Sequence, residues 1–221
     1  MALFPSDIPL PNPSPASGRG AHCEIAAVVL AAGASRRFGS DKLLHPVRRH
    51  GATLPLAAHS LLPWLETFGQ VTVVVRPTAE AFCSEIETAL GATRAAAIRW
   101  VRCADAAQGM AASLACGVRA NRDAAGWLIG LADMPAVPEM AIAGVRDALR
   151  EGAALAAPFR DGRRGHPAGF SARYREDLLG LKGDAGARAL LERDRSRVTQ
   201  VKIGSDGIFA DIDTPDDLEL L

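Results

Sequence analysis

From residue 24 onward, short apolar runs alternate with stretches whose apolar residues recur at helical spacing, and this alternation leaves few architectures open. Residues 25–32, 71–75, 98–102 and 127–132 read as strands. Residues 54–68, 79–90, 110–120 and 138–150 read as helices, the last with Pro138 suited to a first turn and the first with Pro55 and Pro63 working against its continuity. After residue 150 the pattern changes. Apolar segments 153–159 and 167–171 flank Arg160-Asp161-Gly162-Arg163-Arg164, and Asp-Gly is a hairpin turn signal. Two helices are expected at 172–181 and 185–193, and two short strands at 198–203 and 208–212. The predicted class is α/β: a Rossmann-like, mostly parallel sheet with helices on both faces and an antiparallel edge excursion.

At 221 residues the chain has room for one α/β domain, placed at residues 24–221. Residues 1–23 carry five prolines among serine and glycine, and a disordered tail is expected there. That stretch has neither the basic nor the apolar region of a signal peptide. Lys plus Arg equals Asp plus Glu, at 25 each, so bulk charge gives no reason to expect nucleic acid or a membrane as partner. No apolar run reaches the length of a membrane span. Cys23, Cys83, Cys103 and Cys116 contain no C-x-x-C pair, so inert thiols in a reducing cytoplasm are expected rather than a zinc or redox site.

The first strand opens into a loop, and residues 29–42 read VLAAGASRRFGSDK. Gly33 allows a tight turn and close approach of a ligand to the main chain. Arg36, Arg37 and Lys42 bring positive charge to the carboxyl end of a strand, where open α/β sheets bind ligands. A polyphosphate suits such a loop, and Lys42 is expected to be exposed before it binds. Five residues separate Gly33 from Gly39 and Lys42 follows later, so this is neither a Walker A loop nor the dinucleotide fingerprint G-x-G-x-x-G. A surface turn with solvated arginines remains the bland alternative.

Other segments could add chemistry. Asp133, in LADMP, follows a buried strand and could take Mg²⁺ together with substrate phosphates, or could cap the next helix. Asp211 and Asp213, in DIDTP, share one side of an extended segment, and Asp213 could also cap the helix begun at Pro215. A metal clamp requires Asp133 and one of these two to converge. Gln108-Gly109-Met110 opens a small-residue helix, where a Gln amide can read a base edge and a helix N-terminus favours anions. Arg164-Gly165-His166-Pro167 and Gly183-Asp184-Ala185-Gly186-Ala187-Arg188 add charge and turn residues to the second half.

Together LAAGASRRFGSDK, QGM with Ser113, LADMP, RGHP, GDAGAR and DIDTPDDL resemble the nucleotidyltransferases of GT-A-like fold. The pattern is most similar to molybdenum cofactor cytidylyltransferases and covers residues 25–221 in the family's order. Ala32 and Ser35 stand where the related guanylyltransferases carry glycine, which points to the cytidylyl branch. Phe38 replaces the usual methionine, and the segment from Arg48 to Pro55 is longer than the family's. The resemblance implies an enzyme that transfers CMP from CTP to molybdopterin with release of pyrophosphate. It implies that Leu30, Ala31, Ala32, Gly33, Ser35, Gln108, Gly109 and Ser113 line the nucleotide, with Arg37 and Lys42 on the triphosphate. Arg37, Lys42 and Asp133 would be the catalytic set. Asp133 and Asp213, with Asp211 nearby, would hold Mg²⁺, for which Mn²⁺ could substitute. Arg164, Gly165, His166, Pro167, Gly183, Asp184 and Arg188 would face the acceptor. A molybdenum hydroxylase or its chaperone is a candidate transient partner. The rivals are transfer to a sugar or polyol phosphate, a non-catalytic cofactor carrier, and a nicotinamide-dependent oxidoreductase, the last disfavoured by the missing fingerprint.

Overall fold

The computed structural model describes residues 24–33, 38, 41–183 and 186–221. The expected tail at 1–23, with Cys23, and the loop residues Ser35, Arg36, Arg37 and Gly39 lie outside the described residues, as does Asp184.

Strand β1 (Ile25–Leu30) pairs in parallel with β4 (Val71–Val75) on one side and β6 (Gly126–Leu131) on the other. Strand β5 (Ile98–Arg102) extends the sheet beyond β4, again in parallel. All five β4 residues are buried, as expected of a parallel strand covered on both faces. Helices α1 (Leu56–Thr67), α2 (Glu80–Leu90) and α5 (Glu139–Arg150) supply one core layer, with Leu56, Leu61, Ile86 and Ile142 fully buried. Helix α4 (Met110–Ala120) packs on the opposite face through Leu114 and Val118. Alternation along β1 divides its side chains between the layers: Ala27 and Val29 face one, Val28 and Leu30 the other. The short α3 (Ala92–Ala95) links α2 to β5.

The second half reverses direction. Strands β7 (Leu155–Arg160) and β8 (Arg163–Arg164) form the hairpin read from Asp161-Gly162, both of which adopt positive φ. The antiparallel excursion is present, and its position is more interior than an edge: β9 (Ala168–Ser171) runs between β6 and β7, antiparallel to both. Strand β10 (Val198–Lys202) pairs in parallel with β7 and ends the sheet, giving the order β10-β7-β9-β6-β1-β4-β5.

Several boundaries depart from the sequence reading. The expected helix at 54–68 begins only at Leu56, because β2 (Pro46–Arg49) and β3 (Ala52–Pro55) form a separate hairpin, and the lengthened segment from Arg48 to Pro55 falls within it. The expected helix at 172–181 is a 3₁₀ turn, Ala172–Tyr174, followed by α6 (Arg175–Leu179). That at 185–193 is described as α7 (Arg188–Arg193). The expected strand at 208–212 is absent; residues Asp206–Ile208 form a 3₁₀ turn and the chain then runs irregularly. Ile208 and Ile212 are apolar because they are buried, not because they alternate in a ladder. Among the described residues no helix is long and apolar enough to cross a membrane. Cys83, Cys103 and Cys116 are free thiols, and burial beside Cys103 pushes the Cys116 thiol up to about 11.

Candidate active site

Three segments far apart in the chain meet beyond the carboxyl ends of β1 and β6. The 3₁₀ turn Lys42–Leu44 brings in Lys42. The LADMP turn after β6 brings Asp133, and the DIDTP segment brings Asp213. The last two are tied by a backbone bond from Ile212 N–H to the Asp133 carbonyl at 3.0 Å. Lys42 Nζ lies 2.8 Å from Asp133 Oδ2, 2.9 Å from Asp213 Oδ1 and 2.7 Å from the Ile212 carbonyl oxygen. The convergence that a clamp requires is therefore present, and the Lys42 ammonium sits at its centre.

Lys42 is only 7 % exposed, which corrects the expectation of an exposed lysine. Burial works against the ammonium, but Asp133 and Asp213 outweigh it and hold the Lys42 pKa above the ordinary lysine value. The Asp133 side chain is 22 % exposed and that of Asp213 46 %, so the group opens to solvent on the Asp213 side. Asp133 Oδ1 is buried and has no hydrogen-bond partner among the described residues. A buried carboxylate oxygen lacking a donor fits a cation. Two hard oxygen donors from Asp133 and Asp213 also match Mg²⁺ or Mn²⁺, which take one or two carboxylates and complete their shell with water and substrate phosphate. No group of three or more His, Cys, Asp or Glu suited to a metal occurs among the described residues, and Asp211 is exposed beside the pair rather than in it.

Asp213 is positioned by a cap that it does not itself form. Thr214 is the N-cap of the final 3₁₀ segment, Pro215–Leu220. Asp217 Oδ2 accepts from the N–H groups of Asp213 and Thr214 at 2.9 and 2.6 Å, and from Thr214 Oγ1 at 2.9 Å. Those backbone donors hold the Asp217 carboxyl below the usual carboxylate range. The alternative of Asp213 as helix cap is thereby replaced. The T-x-x-D spacing of a capping box was visible in the sequence and would have identified Asp217. Further support comes from Gly207, where a Cβ would lie 1.9 Å from the Ala136 carbonyl oxygen. Only glycine lets the returning chain press so closely on the turn after Asp133.

The residues expected on the nucleotide are placed as follows where they are described. Leu30 ends β1, and its carbonyl accepts from Ala132 N–H at 3.0 Å. Ala31 and Ala32 are buried and Gly33 is exposed. Arg76, overlooked in the sequence although it follows β4 at the same end of the sheet, donates to the Ala32 carbonyl at 3.3 Å and to the Gly33 carbonyl. Phe38 is buried, edge-on to His45. Gln108 is exposed and bonds Asp105 at 3.0 Å. Gly109 turns the chain into α4 at φ +113°, a conformation that suits glycine. Ser113 is buried within α4. Arg49, which belongs to the basic cluster early in the sequence, donates from β2 to the Pro135 carbonyl, which latches the β2–β3 hairpin onto the LADMP turn.

The residues expected to face an acceptor divide into two groups. His166 lies close enough to Asp133 and Asp211 for both carboxylates to favour its charged form, yet burial, reinforced by Arg164, lowers its pKa. Its Nδ1 is buried without a hydrogen-bond partner among the described residues. Gly165 packs against Ile208, with an added Cβ 2.6 Å from the Ile208 carbonyl oxygen, and Pro167 follows a cis peptide bond. Gly183, by contrast, sits on the start of α4: its carbonyl accepts from Ala111 N–H at 3.0 Å. Gly183 therefore groups with Gln108 and Gly109 rather than with His166. Arg188 is exposed and pairs with Glu192 at 2.6 Å, and both act electrostatically on Arg164.

The family model of the MobA-like NTP transferase domain matches residues 27–198. No curated protein matches the chain. Among solved structures, Rv0371c from Mycobacterium tuberculosis H37Rv is 26 % identical with a TM-score of 0.71, covering 89 % of this chain and 97 % of that one. The manganese complex of Rv0371c gives 26 % identity and a TM-score of 0.68 over 90 % of this chain and 97 % of that one. A nucleotidyl transferase from Methanothermobacter is 24 % identical, with a TM-score of 0.68 over 89 % and 95 % of the two chains, and shares the fold. The matched span runs from β1 to the start of β10 and includes Lys42 and Asp133, and the chain belongs to the family of MobA-like NTP transferase domains.

Proposed function

We propose that this nucleotidyltransferase transfers CMP from CTP to the terminal phosphate of a molybdopterin-type acceptor and releases pyrophosphate. The observation that carries the transfer chemistry is the meeting of Asp133 and Asp213 at one cation, Lys42. Such a point can neutralise charge where a polyphosphate reacts. The acceptor phosphate needs little deprotonation, since second phosphate pKa values are about 6. One of its oxygens attacks the α-phosphorus of CTP, the bond from that phosphorus to the bridging oxygen of the β-phosphate breaks, and pyrophosphate carries the electron pair away. Such transfers depend on positioning and charge neutralisation more than on a base.

Asp133 and Asp213 would hold Mg²⁺ or Mn²⁺, with Asp211 nearby, and the metal when bound would neutralise charge on the phosphates. The manganese complex of Rv0371c supports a divalent cation in this role. Arg37 and Lys42 would orient the triphosphate, and Arg76 would fix the carbonyls of Ala32 and Gly33 so that the loop holds its shape. Gln108 and Gly109 would flank the base. Arg164 and His166 would meet the acceptor, with Gly183 and Arg188 closing from the α4 side. The choice of cytosine rests on LAAGAS in place of the more glycine-rich guanylyl pattern, and the choice of pterin on RGHP and GDAGAR.

The test is pyrophosphate release with each of the four NTPs, with and without molybdopterin. Release with CTP that depends on molybdopterin is expected. Preference for GTP rejects the cytidylyl reading, equal release with a sugar phosphate rejects the pterin, and no release with any pair favours a carrier.

A further inference from the structure

Lys42 occupies the position that the two carboxylates would offer to a metal. Its ammonium touches both Asp133 and Asp213 within 2.9 Å and is anchored further by the Ile212 carbonyl. A divalent ion bound by both carboxylates and the ammonium in its present place would put like charges within a few ångströms of each other in a partly desolvated site, where repulsion is strong. We infer that Lys42 is the counter-ion of the metal-free site, and that a divalent cation binds by displacing the Lys42 ammonium from between Asp133 and Asp213. This rests on the reading of those two carboxylates as the cation site.

The displaced ammonium needs a new anionic partner, and a nucleotide triphosphate provides one. Without nucleotide, metal binding must expel a well-held lysine with no phosphate to receive it. With nucleotide, the lysine exchanges carboxylates for phosphates. Metal and nucleotide therefore bind with positive coupling, and linkage makes the effect reciprocal. Lys42 then does more than hold phosphate: while the site is empty of metal it keeps two neighbouring carboxylates from repelling each other.

The chain has three lysines, which makes the exchange readable on the unmodified protein. Lys182 and Lys202 are exposed and serve as internal standards, whereas Lys42 is buried. Reductive methylation followed by mass spectrometry should find Lys42 protected in the metal-free, nucleotide-free protein. Millimolar Mn²⁺ should raise Lys42 labelling while leaving Lys182 and Lys202 unchanged. In parallel, Mn²⁺ binding read by electron paramagnetic resonance, without nucleotide, should be at least about tenfold tighter in Lys42→Gln than in wild type, because a competing positive charge is gone. Both variants used here are checked by melting curves. The wild-type footprint is independent of variant folding. Protection of Lys42 that persists with Mn²⁺ bound overturns the exchange, as does equal or weaker Mn²⁺ binding by folded Lys42→Gln. If Asp133→Asn binds Mn²⁺ as tightly as wild type, the cation-site reading itself fails, and the inference fails with it.

Discussion

At the carboxyl ends of β1 and β6, opposite charges come from segments far apart in the chain and are drawn out of water. Lys42 lies 170 residues from the Ile212 carbonyl that it binds. At the amino ends of β1, β4 and β5 the charges stay at the surface. There a cleft of about 700 Å³ is lined by Glu24, Thr72, Arg99, Arg119, Arg122 and Asp123, among others. Its arginines are held locally: Arg99 donates to the Ala120 carbonyl at 2.9 Å, and Arg122 pairs at 3.5 Å with its own neighbour Asp123, their side chains 81 % and 89 % exposed. This cleft is thus not where charges from remote segments converge. What distinguishes the candidate site is convergent charge and partial desolvation. In water, exposed pairs such as Arg122–Asp123 contribute little.

The sharpest test of the carboxyl end is Asp133→Asn. The amide keeps the side chain's shape, and the Asp133 carbonyl still accepts from Ile212. Turnover should fall by at least about 10²-fold, the scale of losing one group that stabilises the transition state, while the melting curve shows the protein folded. A near wild-type rate at limiting Mg²⁺ would remove Asp133 from the site.

Lys42→Ala should lose kcat/KM by a similar factor and also stability, contrary to what an exposed loop lysine would do. It leaves two carboxylates facing each other. Removing one partner of a fully buried pair costs about 3–5 kcal/mol, and with Asp213 open to solvent screening a loss on the order of 2 kcal/mol is expected. The sign of the pH dependence follows from the raised Lys42 pKa. The contribution is complete through neutral pH and is lost as pH rises through that raised value, at alkaline pH above the ordinary lysine range. Denaturant melts at pH 7 and at strongly alkaline pH, on wild type and variant, would show the gap close; a constant gap would contradict the pairing.

Gly207→Ala probes how the returning chain is seated. A methyl group cannot fit 1.9 Å from the Ala136 carbonyl oxygen, so the 3₁₀ turn must move away from the LADMP turn. A cost of about 1–3 kcal/mol is expected from overpacking, together with lower activity as Asp213 shifts from Lys42. Wild-type rates in Gly207→Ala would mean that Asp213 does not depend on this contact. A milder effect is expected from His166→Ala: about tenfold or less in kcat/KM for the acceptor, the scale of one hydrogen bond, with nucleotide affinity unchanged. Equal losses on both substrates would place His166 with the nucleotide instead.

These contrasts also explain what the sequence disclosed. The parallel core was legible because β1, β4 and β6 are continuous apolar runs between helices of amphipathic period, and periodicity is a local signal. LADMP and DIDTP were legible as carboxylates next to strand ends or turns. Their meeting was not, because convergence is a property of topology: β10 pairs with β7 at the far edge of the sheet before the chain returns to Asp133. The burial of Lys42 was missed for the same reason, since its partners are remote in sequence. The 208–212 segment misled because buried apolar residues in an irregular stretch imitate a strand. Arg49 and Arg76 act on backbone carbonyls, which leave no mark in side-chain patterns.

The amino-end cleft supplies the smallest expected effect and the control for the whole comparison. Arg122 lies beyond the end of α4, its side chain is almost fully exposed, and its ion pair with Asp123 joins adjacent residues. A long-range contact at this position uses the Arg122 carbonyl, which receives Arg175, and alanine retains that carbonyl. Arg122→Ala should therefore leave kcat and KM for both substrates unchanged and shift stability by no more than about 0.5 kcal/mol, as for surface positions without special contacts. The measurement is a full steady-state profile beside a denaturant melt. A several-fold fall in activity at unchanged stability would mean that the amino-end cleft takes part in turnover, and convergence of charge at the carboxyl ends would no longer be enough to locate the site.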